Sequence, residues 1–362
     1  MSDYSQFAGT RPVADTLRFD VAALERYLIA NVAGFAGPLE VEQFKGGQSN
    51  PTYKLTAGGK SYVLRRKPPG KLLPSAHAVD REYRVTRALA GTAVPVARTH
   101  CLCLDDTVIG TPFYVMDFVE GRIFWDPLLP GMTSVQRRAI YAEMNRVIAA
   151  LHRVDFTAIG LADYGRPGNY LARQIDRWSR QYQASATEHI DAMDRLIEWL
   201  PQHIQPGERT ALVHGDFRLD NMIFDRSEPR VLALLDWELS TLGNPMADFA
   251  YHLMAWRLAP DEFRGLRGCD FAALGIPSEQ EYVAMYLRET VTLERPDEQA
   301  WDFYMAYNMF RMAGILQGVL ARALAGNAAS AQALDAGRRA RPLAELAWSQ
   351  VEHGRARAVQ TG

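Results

Sequence analysis

Apolar and polar positions alternate in short runs over the first third of the chain. Leu39–Phe44, Thr52–Thr56 and Ser61–Arg66 have the period of half-buried strands, and the Gly pairs beside them mark tight turns, so the pattern predicts an antiparallel meander. A helix is expected next, with Ser75 able to cap it and Gly91 where a left-handed C-terminal residue is wanted. A second hairpin is expected over Ala97–Leu104 and Pro112–Phe118. Beyond Glu120-Gly121 the period becomes helical: within Ser134–His152, Ile140, Met144, Val147 and Leu151 make one buried stripe. Strands return at Ala211–Val213, Met222–Phe224 and Val231–Leu235. Helices fill the remainder, including a long one from about Asp297 to Ala325. The expected class is α+β. A small antiparallel-sheet lobe covers residues 1–118 and a large helical lobe 119–362, with the connection near 117–121 and a helical insert near 160–205.

Composition narrows the function classes. Lys+Arg 40 against Asp+Glu 42 leaves no basic excess, which argues against a nucleic-acid binder. The odd set Cys101, Cys103 and Cys269 builds no disulfide framework. With no signal-like start and no apolar run long enough to cross a bilayer, a cytoplasmic protein without membrane partners is expected.

The segment Leu212–Asp225 concentrates the chemistry. An apolar run ends in His214-Gly215-Asp216, and Asn221 opens the next one. Further on, Asp236 closes the apolar run Val231–Leu235. If Met222–Phe224 and Val231–Leu235 pair around the turn Arg226-Ser227-Glu228-Pro229, Asn221 and Asp236 face one another at the open end of that hairpin. A carboxylate beside an amide oxygen suits a hard cation such as Mg2+ and not zinc. Phosphoryl transfer needs such ligands and an acceptor that orients the attacking hydroxyl, a part open to Asp216.

These residues carry a resemblance. The chain resembles the aminoglycoside phosphotransferase and choline kinase superfamily, whose mark is His-Gly-Asp, then Asn, then Ile/Leu-Asp ahead of Gly-x-Pro-x-x-Asp. The last element reads Gly243-Asn244-Pro245-Met246-Ala247-Asp248 here. The resemblance implies a two-lobed protein-kinase-like fold and an ATP-dependent kinase acting on a hydroxyl of a small molecule. It implies Asp216 as catalytic base, Asn221 and Asp236 as metal ligands, and Asp248 as a brace for the loop. His214 is expected to orient that loop by hydrogen bonds.

The small lobe offers matching parts. Gly46-Gly47-Gln48-Ser49-Asn50 is a candidate phosphate turn that brings backbone N–H groups, those of Gly46, Gly47, Ser49 and Asn50 among them, against phosphate. Alternation puts Val63, Arg65 and Lys67 on one strand face and Tyr62, Leu64 and Arg66 on the other. Arg65 falls where the superfamily carries its phosphate-binding base, with Lys67 in reserve. Glu82 falls in the apolar sector of the following helix, where an unpaired carboxylate is costly, so Arg65 is its expected partner. The backbone of Asp117, Phe118 and Val119 is expected to meet adenine, with Met116 behind it.

The acceptor is less legible. Residues 64–85, LRRKPPGKLLPSAHAVDREYRV, closely resemble the kinase-like domain fused to some acyl-CoA dehydrogenases, a group associated with phosphorylating hydroxyacyl-CoA. Helical spacing puts Tyr170, Arg173, Gln174 and Arg177 on one side, suited to an anionic acyl-CoA-like ligand. Arg311, Asn308 and Tyr304 form another candidate lining or ordinary core. An antibiotic, choline or homoserine-type acceptor stays open, as does a catalytically weak ATP-binding module.

Overall fold

The computed structural model describes residues 9–46, 50–70, 77–291, 293, 295–326 and 333–361, with the side chains of Glu262 and 355–361 outside that description. The chain forms two compact units: one holds residues up to Trp125, Ile159–Leu161 and Leu219–Ser240, the other Asp126–Ala158, Ala162–Arg218 and Thr241 onward.

The first unit is built on β1 (Thr10–Arg11), α1 (Val21–Asn31), β2 (Glu40–Phe44), β3 (Thr52–Ala57), β4 (Lys60–Arg66), α2 (Val79–Leu89), β5 (Thr99–Cys103) and β6 (Phe113–Asp117). Its strands form one antiparallel sheet in the order β1-β2-β3-β4-β6-β5. The expected meander is β2–β4. The later hairpin joins it through β6, so β5 takes the edge. β1 is too short to leave a readable period.

Alternation along β4 separates two cores. Tyr62 and Leu64 join Tyr53, Leu55, Phe113 and Val115 against Leu24 and Leu28 of α1. Val63 joins Tyr114 and Met116 against Val79 and Tyr83 of α2. Asp20 caps α1 by accepting from the Ala23 amide at 2.9 Å. α2 departs from expectation at its start: Ser75 lies outside the described residues, and the helix begins at Val79 behind Ala78, with no side-chain cap. Gly91 does follow it with φ +88°.

The same unit contains β8 (Met222–Phe224) and β9 (Val231–Leu234), the predicted hairpin, with Met222 opposite Leu234. Asp225 closes its turn by accepting from the amides of Ser227 at 3.0 Å and Glu228 at 3.1 Å. Arg122 and Phe224 exchange backbone hydrogen bonds of 2.7 and 2.8 Å beside Gly121. A Cβ on Gly121 would lie 2.2 Å from the Phe224 carbonyl oxygen, so only glycine fits there.

The second unit is helical: α3 (Ser134–His152), α4 (Tyr170–Ser185), α5 (Asp191–Trp199), α6 (Pro245–Arg257), α7 (Pro260–Phe263), α8 (Phe271–Leu274), α9 (Glu279–Glu289), α10 (Glu298–Leu324), α11 (Ala333–Gly337) and α12 (Ala340–Thr361). Its strands are β7 (Ala211–Val213) and β10 (Thr241–Gly243), paired antiparallel. α3 starts on a capping box made by Thr133 and Gln136. α6 is buried on nearly all sides, and Phe249 stacks on Tyr286 of α9 with ring centroids 3.8 Å apart. The α+β expectation is met. Among the described residues no helix is long and apolar enough to cross a membrane.

Candidate active site

The first unit lines an open-mouthed cavity of about 500 Å³. Val63 of β4, Ala97, Met116 of β6, Ile223 of β8 and Leu234 of β9 make its apolar walls. Arg65, Asp220, Asn221 and Asp236 make its polar end. An apolar slot ending in a few convergent charged groups is the usual form of a small-ligand site. Asp117, Phe118 and Val119 also line it, as does Gly46. The Asp117 amide donates to the Arg98 carbonyl at 2.8 Å, and its carboxylate meets His100 Nε2 at 2.6 Å. Gly47 and Ser49 lie outside the described residues.

Arg65 is the centre of the polar end. Its Nε lies 3.1 Å from Glu82 Oε2, and its Nη2 lies 3.2 Å from Asp236 Oδ1. The expected strand–helix ion pair is therefore present, with a second carboxylate on the same guanidinium. Burial works against the charge on Arg65, but Glu82, Tyr114 and Asp236 outweigh it and hold the guanidinium protonated. Burial pushes the Glu82 carboxyl up, against the pull of Arg65, Tyr114 and Asn50. Glu82 is 1% exposed and takes further hydrogen bonds from Asn50 Nδ2 at 2.7 Å and the Tyr114 hydroxyl at 3.2 Å. The Asn50 side chain, in a turn expected to offer backbone N–H groups to phosphate, goes to Glu82, and its Oδ1 meets His77 Nδ1 at 3.0 Å. Lys67 lies past the end of β4 and lines no part of the cavity.

Asn221 and Asp236 both face the cavity. The Leu235 amide donates to the Asn221 carbonyl at 2.8 Å, which carries the β8–β9 ladder up to the two side chains. Asp236 has φ +64° and ψ +63°, a left-handed conformation that non-glycine residues adopt rarely and at a cost. That cost is borne where the carboxylate reaches both the cavity and Arg65. Among the described residues no group of three or more His, Cys, Asp or Glu is placed to hold a metal. An oxygen-only pair fits a cation that keeps most of its coordination for phosphate and water, as magnesium does, and does not fit zinc.

The second unit holds the His-Gly-Asp loop after β7. Asp248 of α6 accepts from the His214 amide through Oδ2 and from the Gly215 amide through Oδ1, both at 2.8 Å. Gly215 has φ +82°, which lets both amides turn toward one carboxylate. His152 of α3 approaches Asp248 at 3.1 Å and the Tyr286 hydroxyl at 2.6 Å. Asp248 thus braces the loop backbone, as expected. His214 is fully buried, and its Nδ1 accepts from the Asp216 amide at 3.2 Å. Its place is to shape the loop.

Asp216 Oδ1 receives the Tyr251 hydroxyl at 2.5 Å and lies 3.1 Å from Arg218 Nε. Neither neighbour was singled out from the sequence. Tyr251 carried a readable signal, because it follows Asp248 at helical spacing on the same face of α6. Arg218 stands inside the motif itself, at a position whose residue type the motif leaves open.

The acceptor candidates divide. Tyr170 belongs to the buried stripe of α4 with Leu171, Ile175 and Trp178, while Arg177 is exposed and lies over the Trp178 ring at 5.2 Å. Tyr170, Arg173, Gln174 and Arg177 keep helical spacing on α4 but differ in burial: Tyr170 is buried, Arg173 and Gln174 are half-buried and Arg177 is exposed. Arg173 donates to the carbonyls of Gly168 and Arg166, holding the entry to α4. Arg311 is buried and donates Nη2 to the Gly215 carbonyl at 2.7 Å, so it supports the loop from behind and lines no open surface. Asn308 donates to the carbonyls of Ala247 and Tyr304, which is core packing.

Comparison with known proteins follows this geometry. A family model described as the phosphotransferase enzyme family matches residues 40–288. Acyl-CoA dehydrogenase family member 10 of Mus musculus is 49% identical over 343 residues, which cover 94% of this chain and 32% of that protein. Acyl-CoA dehydrogenase family member 11 of Gallus gallus is 44% identical over 363 residues, covering 95% of this chain and 46% of that one. The chain thus spans less than half the length of these curated relatives. A Ralstonia eutropha crystal structure, described provisionally as an aminoglycoside phosphotransferase, is 58% identical with a TM-score of 0.86, covering 93% of this chain and 99% of that one. Choline kinase from Cryptosporidium parvum shares the fold at 13% identity, with a TM-score of 0.60 and coverage of 95% and 97%. The match across residues 40–288, on a kinase-like fold with the His-Gly-Asp loop and the Arg65–Glu82 pair, shows that the chain belongs to the phosphotransferase enzyme family and is a kinase.

Proposed function

We propose that this kinase moves the γ-phosphoryl group of ATP to a hydroxyl of an anionic small molecule, a hydroxyacyl-CoA thioester being the favoured class. The observation that carries the nucleotide half is the cavity in which one guanidinium, Arg65, is held by Glu82 and Asp236 at the end of an apolar slot. Adenine suits the slot beside Met116, Asp117 and Val119, and Arg65 suits phosphate oxygens. Asn221 and Asp236 would hold Mg2+, which supplies charge neutralisation between the phosphates.

Asp216 accepts the proton of the acceptor hydroxyl as the new O–P bond forms. The bond from the γ-phosphorus to its bridging oxygen breaks, and ADP leaves with that electron pair. The loop carrying Asp216 runs on along the chain to Asn221.

Two features support an anionic acceptor. The curated relatives carry acyl-CoA dehydrogenase names, so acyl-CoA chemistry shares a polypeptide with a segment like this one. Asp216 is accompanied by Arg218, whose charge disfavours a polycationic aminoglycoside. The description of the Ralstonia relative favours an antibiotic acceptor and sets the competing arm of the test.

ATP turnover measured over hydroxyacyl-CoA, choline, homoserine and kanamycin decides between them. Phosphorylation of the thioester is expected to exceed that of the amines. Asp216→Ala is expected to lower turnover by about 10²–10⁴ while ATP still binds, the range for a positioned base. Efficient kanamycin phosphorylation without any thioester product would reverse the acceptor assignment. Near-normal turnover in Asp216→Ala would remove the base assignment.

A further inference from the structure

α6 touches the His-Gly-Asp loop at two levels. Asp248, in its first turn, holds the backbone amides of His214 and Gly215. Tyr251, on the same face, reaches the carboxylate itself, with its hydroxyl 2.5 Å from Asp216 Oδ1. The terminal torsion of an aspartate is broad, so a braced backbone alone does not set which oxygen meets an acceptor. Contacts on one oxygen remove that freedom, and Oδ1 has the Tyr251 hydroxyl as well as Arg218 Nε at 3.1 Å.

Tyr251 is built for such a contact. Its side chain is 5% exposed, and the Arg311 guanidinium lies over its ring at 5.1 Å. The same guanidinium donates to the Gly215 carbonyl, so ring and loop share one cationic support. Burial and the neighbouring Asp216 charge push the phenol far above its ordinary range, which keeps it a neutral donor.

We infer that Tyr251 is a positioning residue for phosphoryl transfer: by holding Asp216 Oδ1 it fixes the rotation of the carboxylate that meets the acceptor hydroxyl. This rests on the proposed role of Asp216 as base. In this role Tyr251 acts through that carboxylate and not on a substrate directly.

Tyr251→Phe keeps the ring and its cation contact and deletes the hydroxyl. Its kcat is expected to fall roughly ten- to a hundredfold, the size of one lost hydrogen bond to a charged group, with the KM for ATP unchanged and a melting temperature still well above that of the assay. The double variant with Asp216→Ala separates positioning from general support. If Tyr251 works through Asp216, adding Tyr251→Phe to Asp216→Ala costs nothing further. Equal losses in both backgrounds, or a fall in melting temperature that accounts for the lost rate, would overturn the inference and leave a structural tyrosine. Unchanged kcat in Tyr251→Phe beside an inactive Asp216→Ala would overturn it while sparing the base assignment. Turnover retained by Asp216→Ala would remove both.

Discussion

Asp236 is the residue whose conformation says most about its use. A left-handed aspartate is strained, and its surroundings hold it there with the carboxylate on Arg65 and toward the cavity. Asp236→Asn keeps the shape and deletes the charge. It is expected to abolish most of the magnesium-dependent part of ATP binding, read by calorimetric titration with and without the metal. An unchanged magnesium dependence would move the cation elsewhere, with Glu238 the next carboxylate to test. Asn50 teaches a different lesson at this scale. The sequence places its backbone in a candidate phosphate turn, and the fold gives its side chain a separate task, because the buried Glu82 carboxylate needs its lone pairs satisfied.

Two elements meet their neighbours without slack. At Gly121 the chain runs against β8 so closely that any side chain meets the Phe224 carbonyl. Gly121→Ala is expected to destabilise the protein by about 1–3 kcal/mol, the cost of forcing atoms into a filled space, and to weaken ATP binding because Ile223 and Gly121 line the cavity. Denaturant unfolding and a nucleotide titration check the two parts. On α6, burial raises the Asp248 carboxyl, but His152 and the loop amides outweigh it and hold it below the ordinary 3.8. A depressed carboxylate contributes stability that is present above its unfolded value and lost as pH falls through its folded one. Unfolding free energy measured from pH 6 downward should therefore fall more steeply below about 3.8 in the wild type than in Asp248→Asn.

For the whole molecule the open quantity is the acceptor. Net charge is close to balanced, so selectivity rests on local charge and not on a global field. Arg177 is an exposed cation on α4, a point where an anionic thioester gains a charge-assisted bond. Arg177→Ala is expected to raise the acceptor KM about tenfold and leave the ATP KM unchanged, since one such bond is worth roughly 1.5–3 kcal/mol. Raising salt should weaken acceptor use in the wild type more than in the variant, through screening. Equal salt dependence in both proteins would place the anion contact elsewhere.

The sequence by itself determined the elements and the chemistry carried on short stretches of chain. Strand alternation put Arg65 and Val63 on one face of β4, helical spacing turned Glu82 inward, and the β8–β9 pattern brought Asn221 to Asp236. Each follows from a local period of two or of about 3.6 residues. What only the tertiary structure decided are the contacts made by residues far apart in the chain. Arg311, legible as a possible lining residue, is drawn behind the loop because a buried guanidinium seeks a carbonyl and two aromatic faces. Tyr170 and Arg177 keep the spacing read from the sequence, but packing buries the first and leaves the second exposed, a difference that spacing alone does not set. The spacing from Asp248 places Tyr251 on the right face of α6, but its partner Asp216 lies 35 residues away, and only the folding of α6 against the loop after β7 brings the two together.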